Sequence, residues 1–152
     1  MHSLEALFYC ENKKEIELYG EGFLLSPASE YDIEILKVKV KNAFNIELSN
    51  DYLMLLLLSD GFSVNGLSVY GSKIFSNGYF NNGILEANKA FWMESSLSKY
   101  ISYGEESSMR LVFNNEKNRY EAVDPVSWDV IDSFGTFYEL LQYVLNDACI
   151  FD

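Results

Sequence analysis

The chain has 152 residues, a formal net charge of −12 and a hydrophobic fraction of 49%. A chain of this length fits one compact domain, whose core forms without a disulfide framework or a structural metal. The excess of 23 acidic over 11 basic residues argues against a nucleic-acid-binding protein, because phosphate backbones attract basic surfaces. A basic protein would be attracted instead.

The N-terminal segment lacks the pattern of a secretion signal, since no basic region precedes a long apolar run and Glu5 interrupts the only candidate. The longest apolar run, residues 53–58, is far shorter than the roughly 20 residues that cross a bilayer. Cys10 and Cys149 show no metal-ligand or redox spacing, and we expect both to be reduced and packed as small hydrophobic residues. These features predict a cytoplasmic protein with no membrane contact and no cofactor.

Three helices are predicted in the first part of the chain. Residues 4–18 have a loosely helical apolar spacing that ends at a pair of glycines. Ser29 caps a second helix, with Asp32 three residues further on. The apolar stripe of this helix consists of Ile33, Leu36, Val40, Ala43 and Phe44. Ser49 can cap a third helix, residues 50–59, which is apolar on every side and is therefore expected to be buried.

Strands dominate the rest of the chain. A Gly/Ser/Asn-rich loop, residues 71–83, and a helix at residues 84–93 separate the first short strand from the others. The predicted strands are residues 67–70, 100–103, 109–113, 120–124 and 128–131. Thr136 and Glu139 then form a capping box for a closing helix. This order predicts one α+β domain over residues 1–152, with a mainly antiparallel sheet packed against N-terminal helices and a C-terminal helix.

Catalytic signatures are mostly absent from the sequence. His2 is the only histidine, so neither a Ser-His-acid nor a Cys-His arrangement has a well-placed base. Acidic pairs occur at Glu105–Glu106, at Asp124 with Asp129, and at Asp129 with Asp132. A small hydrolase would need two such carboxylates to converge in a cleft, whereas random pairs are expected in so acidic a chain. We therefore expect a protein that is not an enzyme.

Charge placement is the most distinctive feature of the sequence. No Lys or Arg follows Arg119. The acids beyond that point are Glu121, Asp124, Asp129, Asp132, Glu139, Asp147 and Asp152. The last strand and the closing helix should therefore present a negative surface. Such a surface is either a solvated face that keeps the protein soluble or a docking site for a basic protein.

Trp128 lies between Asp124 and Asp129, and this position allows two interpretations. The indole either packs at the core or serves as an apolar anchor inside a negative rim. The same choice, between a contact surface and a loop folded over the sheet, applies to Phe75, Tyr79 and Phe80. The residues that we predict to contact a partner are Glu105, Glu106, Asp124, Trp128, Asp129 and Asp132.

Several short motifs carry a resemblance to a known family. Their sequences are LSPASE at 25–30, FNIELSNDYL at 44–53, SDGF at 59–62, NGLSVYG at 65–71, RYEAVD at 119–124 and VSWDV at 126–130. Together they resemble the SUKH superfamily, and within it the YrhA-like group, over residues 24–145. One departure is Ser49, where that family usually has proline, although serine can also start a helix.

The resemblance implies the α+β fold described above and a role as a bacterial immunity protein. Many SUKH members are similar in being encoded beside polymorphic or contact-dependent toxins, often nucleases, which they bind and neutralise. Fungal relatives act instead in cell-wall and signalling regulation, so the fold alone does not specify the partner. We therefore expect a cognate protein toxin as the partner. The alternative is a non-enzymatic regulatory or scaffold domain that binds a cellular protein.

Overall fold

The computed structural model describes the backbone of residues 2–151 and the side chains of residues 4–151. Its α-helices are α1 (His2–Tyr19), α2 (Glu30–Phe44), α3 (Asn50–Leu58), α4 (Ile84–Phe91) and α5 (Phe137–Asp147). Its strands are β1 (Phe62–Val64), β2 (Leu67–Val69), β3 (Phe75–Ser76), β4 (Phe80–Asn81), β5 (Tyr100–Glu106), β6 (Met109–Asn114), β7 (Arg119–Val123) and β8 (Val130–Phe134). None of the helices in this described part is long and apolar enough to cross a membrane.

Six strands form one sheet in the order β1-β2-β5-β6-β7-β8, and every neighbouring pair is antiparallel. Strands β3 and β4 form a separate hairpin. The inner face of the sheet packs on the helices and carries the main hydrophobic core. The outer face carries a smaller cluster of Tyr100, Val112 and Val123. The predicted α+β class, with one mainly antiparallel sheet in a single domain, is confirmed.

The predicted capping of α2 is confirmed. The Ser29 hydroxyl accepts a hydrogen bond from the Asp32 N–H at 3.0 Å, and the Asp32 carboxylate accepts one from the Ser29 N–H at 3.4 Å. The helix ends at Asn45, whose φ of 56° is left-handed. Ala43 is exposed. The buried stripe of α2 is Ile33, Leu36, Val40 and Phe44.

The expectation that α3 is buried on every side is wrong. Met54 and Leu57 are 53% and 44% exposed, because α3 lies between α2 and α5 and turns only part of its surface to the core. The Ser49 side chain does not cap the helix. Its backbone N–H instead donates to the Tyr103 hydroxyl at 3.1 Å.

The core of the inner face is centred on three fully buried aromatic rings. The Tyr103 ring of β5 lies 4.8 Å from that of Tyr52 in α3 and 4.9 Å from that of Phe137 in α5. Burial raises the pKa of both tyrosines. The Tyr52 hydroxyl also donates to the Tyr70 carbonyl at 2.5 Å. These contacts join two helices to the centre of the sheet.

Three further predictions need correction. The final strand is β8 (Val130–Phe134) rather than residues 128–131, because the chain turns at Trp128, where φ is 64°. Cys10 and Cys149 are exposed rather than packed in the core. Cys10 lies on α1, which buries only Leu4 and Phe8 among its described side chains, and Cys149 lies in the left-handed turn after α5.

Candidate interaction surface

The six residues predicted to contact a partner do not form one cluster. Glu105 and Trp128 lie on the outer face of the sheet, whereas Glu106 is the last residue of β5 and bonds to the turn before β6. Asp132 lies in β8, close to α5. Adjacent residues in a strand point to opposite faces, and for this reason the predicted pair Glu105–Glu106 is divided. The side chains at these three locations differ in their exposure and in their hydrogen bonds.

On the outer face, Arg110 of β6 holds together three chain segments. Its guanidinium donates to the Glu105 carboxylate at 2.7 Å and to the Pro125 carbonyl at 3.3 Å. The guanidinium carbon lies 5.0 Å from the centre of the Phe91 ring and 5.4 Å from that of Trp128. These distances are typical of cation–π contacts. Glu105 is therefore paired with a base.

Trp128 is half-buried against the small outer-face cluster. Its ring stacks on Tyr100 at 5.0 Å and meets the Phe91 ring edge-on at 5.8 Å. Beside it is a shallow hollow of about 510 Å³, lined by Glu94, Ser96, Leu97, Lys99, Tyr100, Val126, Ser127 and Trp128. The indole thus packs on the sheet and also borders this hollow, so core packing is observed, whereas the role of an anchor for a partner stays a prediction.

Asp124 shapes the turn that presents Trp128. Its carboxylate accepts hydrogen bonds from the N–H groups of Val126 and Ser127, both at 2.9 Å. The bonds from Ser127 and Val126 lower the pKa of Asp124. Asp129 follows Trp128 and is exposed, and its carboxylate has no hydrogen bond among the described residues. Asp129 is therefore the more available of the two acids to a partner.

Glu106 is largely buried and satisfied locally. It accepts hydrogen bonds from the Ser107 hydroxyl at 2.6 Å and from the N–H and hydroxyl of Ser108. Burial acts to raise the pKa of Glu106, but these hydrogen bonds outweigh burial and lower it. This arrangement leaves little of the carboxylate for a partner to contact.

Asp132 belongs to the acidic surface that the sequence placed in the last strand and helix. The ring of Phe134 in β8 lies 5.2 Å from that of Tyr143 in α5, and both residues are half-buried. Burial, and then the negative charges of Asp147 and Asp132, raise the pKa of Tyr143. The same surface therefore carries an aromatic pair and two exposed carboxylates that act on Tyr143. We call Asp132, Phe134, Tyr143 and Asp147 the β8–α5 surface.

Sequence reasoning missed the roles of Phe134 and Tyr143 on this surface and those of Arg110 and Phe91 around Trp128. Tyr143 directly precedes the buried Val144, so the helical period places it beside the buried face of α5. The helical period therefore predicts that Tyr143 borders the core. Nothing local in the sequence brings Phe91 and Arg110 together, since they meet only when α4 packs beside β5.

No protein-family model matches the chain, and no curated protein matches it at a significant level. The surface geometry and the sequence motifs are therefore the basis for a functional proposal.

Proposed function

We propose that this is a cytoplasmic immunity protein that binds and neutralises a cognate bacterial toxin. The observation that carries the proposal is the β8–α5 surface, where the rings of Phe134 and Tyr143 lie 5.2 Å apart and the exposed carboxylates of Asp132 and Asp147 raise the pKa of Tyr143. No Lys or Arg follows Arg119 in the sequence, so this segment has no base of its own. The motifs that resemble SUKH immunity proteins supply the class of partner. We expect a basic toxin, such as a nuclease.

On such a surface the charges and the aromatic rings make different contributions to binding. Exposed carboxylates accelerate encounter with a basic protein and reject acidic ones, although each rim charge adds little affinity. Half-buried aromatic rings lose little conformational entropy on binding and provide much of the contact area at interface centres. The β8–α5 surface contains both kinds of group, namely the rings of Phe134 and Tyr143 and the exposed carboxylates of Asp132 and Asp147.

The Trp128 turn gives this surface a second contact region. Asp129 directly precedes β8 and is exposed, and Val126 of the same turn is 88% exposed. Arg110 anchors the turn through the Pro125 carbonyl and the Trp128 ring. A partner that covers β8 would also contact this turn. Because the turn is already fixed, binding there would cost little conformational entropy.

The direct test is complex formation between the purified full chain and the product of the adjacent gene. A stable complex at low salt that abolishes the toxic activity is the expected result. The variant pair Asp132→Lys and Asp147→Lys should weaken the complex, whereas Glu47→Lys, an exposed acid after α2, is the matched control. If no genomic neighbour binds but a cellular protein does, the regulatory or scaffold alternative replaces immunity.

A further inference from the structure

The sheet has an open edge at β8. Among the described residues β8 pairs only with β7, and four of its five residues are exposed. At the other end of the sheet β1 is flanked by a bridge between Leu24 and Phe62, and Phe62 and Val64 are buried. An exposed strand edge offers unpaired backbone groups to another chain.

The half of β5 beyond the end of β2 is closed by α4. The Asn88 side chain donates to the Ser102 carbonyl at 2.9 Å and accepts from the Ser102 N–H at 2.7 Å, as a neighbouring strand would. The Trp92 indole N–H donates to the Tyr100 carbonyl at 2.8 Å. In the described part of the six-stranded sheet, these contacts cover parts of the β1 and β5 edges, whereas β8 is paired on one side only.

The negative charge on β8 indicates which kind of chain can pair with this edge. Asp132 lies in the middle of β8, and its carboxylate accepts a hydrogen bond from the Ser133 N–H at 2.8 Å. A second copy of this chain, paired antiparallel along β8, would bring two Asp132 side chains close together, and like charges across strands are destabilising. A strand with lysine or arginine would place opposite charges there. The edge therefore favours a basic occupant.

We propose that β8 pairs with an extended basic segment of the partner, which adds a seventh strand to the sheet. Backbone hydrogen bonds would supply affinity, and alternate side chains of the added strand would meet Asp132 and the Phe134–Tyr143 pair. This inference rests on the proposed function only for the basic character of the partner. It adds the mode of binding, namely strand addition at a defined edge.

The test uses the full chain and a seven-residue peptide of alternating Lys and Val, followed by amide NMR and hydrogen exchange. We expect chemical-shift changes and slowed exchange centred on residues 130–134. A peptide with alternate N-methylated backbone amides should lose binding, as should one with Glu in place of Lys. The Asp132→Asn variant should weaken binding about two- to fivefold at low salt. Glu47→Gln should leave it unchanged.

The outcomes separate this inference from the proposed function. Absence of binding at millimolar peptide, or shifts centred away from β8, overturns strand addition. If the toxin complex forms while the exchange of the β8 amides is unchanged, strand addition is wrong and the immunity proposal stands. If the Lys-Val peptide pairs with β8 but no genomic neighbour binds, strand addition stands and the immunity proposal fails.

Discussion

The guanidinium carbon of Arg110 lies 5.4 Å from the centre of the Trp128 ring, on the outer face of the sheet. Because Trp128 adopts a left-handed backbone conformation that bulky residues rarely adopt, its turn needs support from the surrounding structure. Arg110 and the hydrogen bonds that Asp124 accepts from the turn both contribute to that support, together with the stacking of the indole on Tyr100. Two charged residues therefore help to fix the position of the indole.

Replacing Arg110 by alanine should loosen this turn and destabilise the protein by about 2 kcal/mol, because it removes two cation–π contacts and a partly buried ion pair. Arg110→Lys should recover only part of the loss, since lysine lacks the planar fork. Urea unfolding followed by tryptophan fluorescence measures both. Lys117→Ala, in an exposed turn, is the control and should change stability by less than about 0.5 kcal/mol.

Acid stability should depend on Glu106. Its pKa is lowered in the folded protein, so its contribution is present above the ordinary value of 4.5 and is lost as the pH falls through the lower folded value. The melting temperature of the Glu106→Gln variant should therefore fall less between pH 5 and about pH 3 than that of the unmodified protein. Thermal unfolding across this range measures the difference. Parallel curves for the two proteins would exclude the effect, and Glu47→Gln is the control.

The ion pair on β7 should respond unequally to removal of its two members. Glu121 is fully buried, with Arg119 at 2.6 Å and Asn114 at 3.1 Å, whereas Arg119 reaches solvent. Arg119→Ala leaves a buried carboxylate without its cation and should cost about 3–5 kcal/mol. Glu121→Gln leaves the cation free to be hydrated and should cost about 1–2 kcal/mol. Chemical denaturation gives both values, and a larger loss for Glu121→Gln would contradict this account.

The closure of β5 by α4 predicts a stability loss at Asn88. Asn88→Ala leaves the Ser102 N–H and carbonyl unpaired in a buried setting and should cost about 2–3 kcal/mol. Hydrogen exchange should show the Ser102 amide losing protection more than the amides of β7. Asn42→Ala, on the exposed side of α2, is the matched control. Unchanged protection at Ser102 would mean that the helix does not close this edge.

Local signals predicted some parts of the fold well. The capping box of α2 and the apolar face of α5 depend on neighbouring residues, and the structure contains both. The start of β8 was misplaced because the Asp124 carboxylate stabilises a turn where alternation suggested a strand. The division of Glu105 from Glu106 follows from strand alternation and was available from the sequence.

Contacts between residues far apart in the chain could not be predicted from the sequence. The pairing of Asn88 with Ser102 depends on where α4 packs, and the approach of Tyr143 to Phe134 depends on where α5 crosses β8. The acidic character of the last third was visible in the sequence. The hydrogen bonds of the individual acids were not visible there. Asp124 and Glu106 accept several bonds from their turns, whereas Asp132 is exposed and accepts one, and Asp129 is exposed.

The most direct measurement of the central claim is the association rate between this protein and the toxin that the proposed function requires, as a function of salt. The Asp132→Lys/Asp147→Lys double variant should associate at least about tenfold more slowly than the unmodified protein at low ionic strength, and the difference should shrink as salt screens the charges. Glu47→Lys should associate at nearly the unmodified rate. Equal rates for the double variant and the unmodified protein at every salt concentration would contradict an acidic β8–α5 interface.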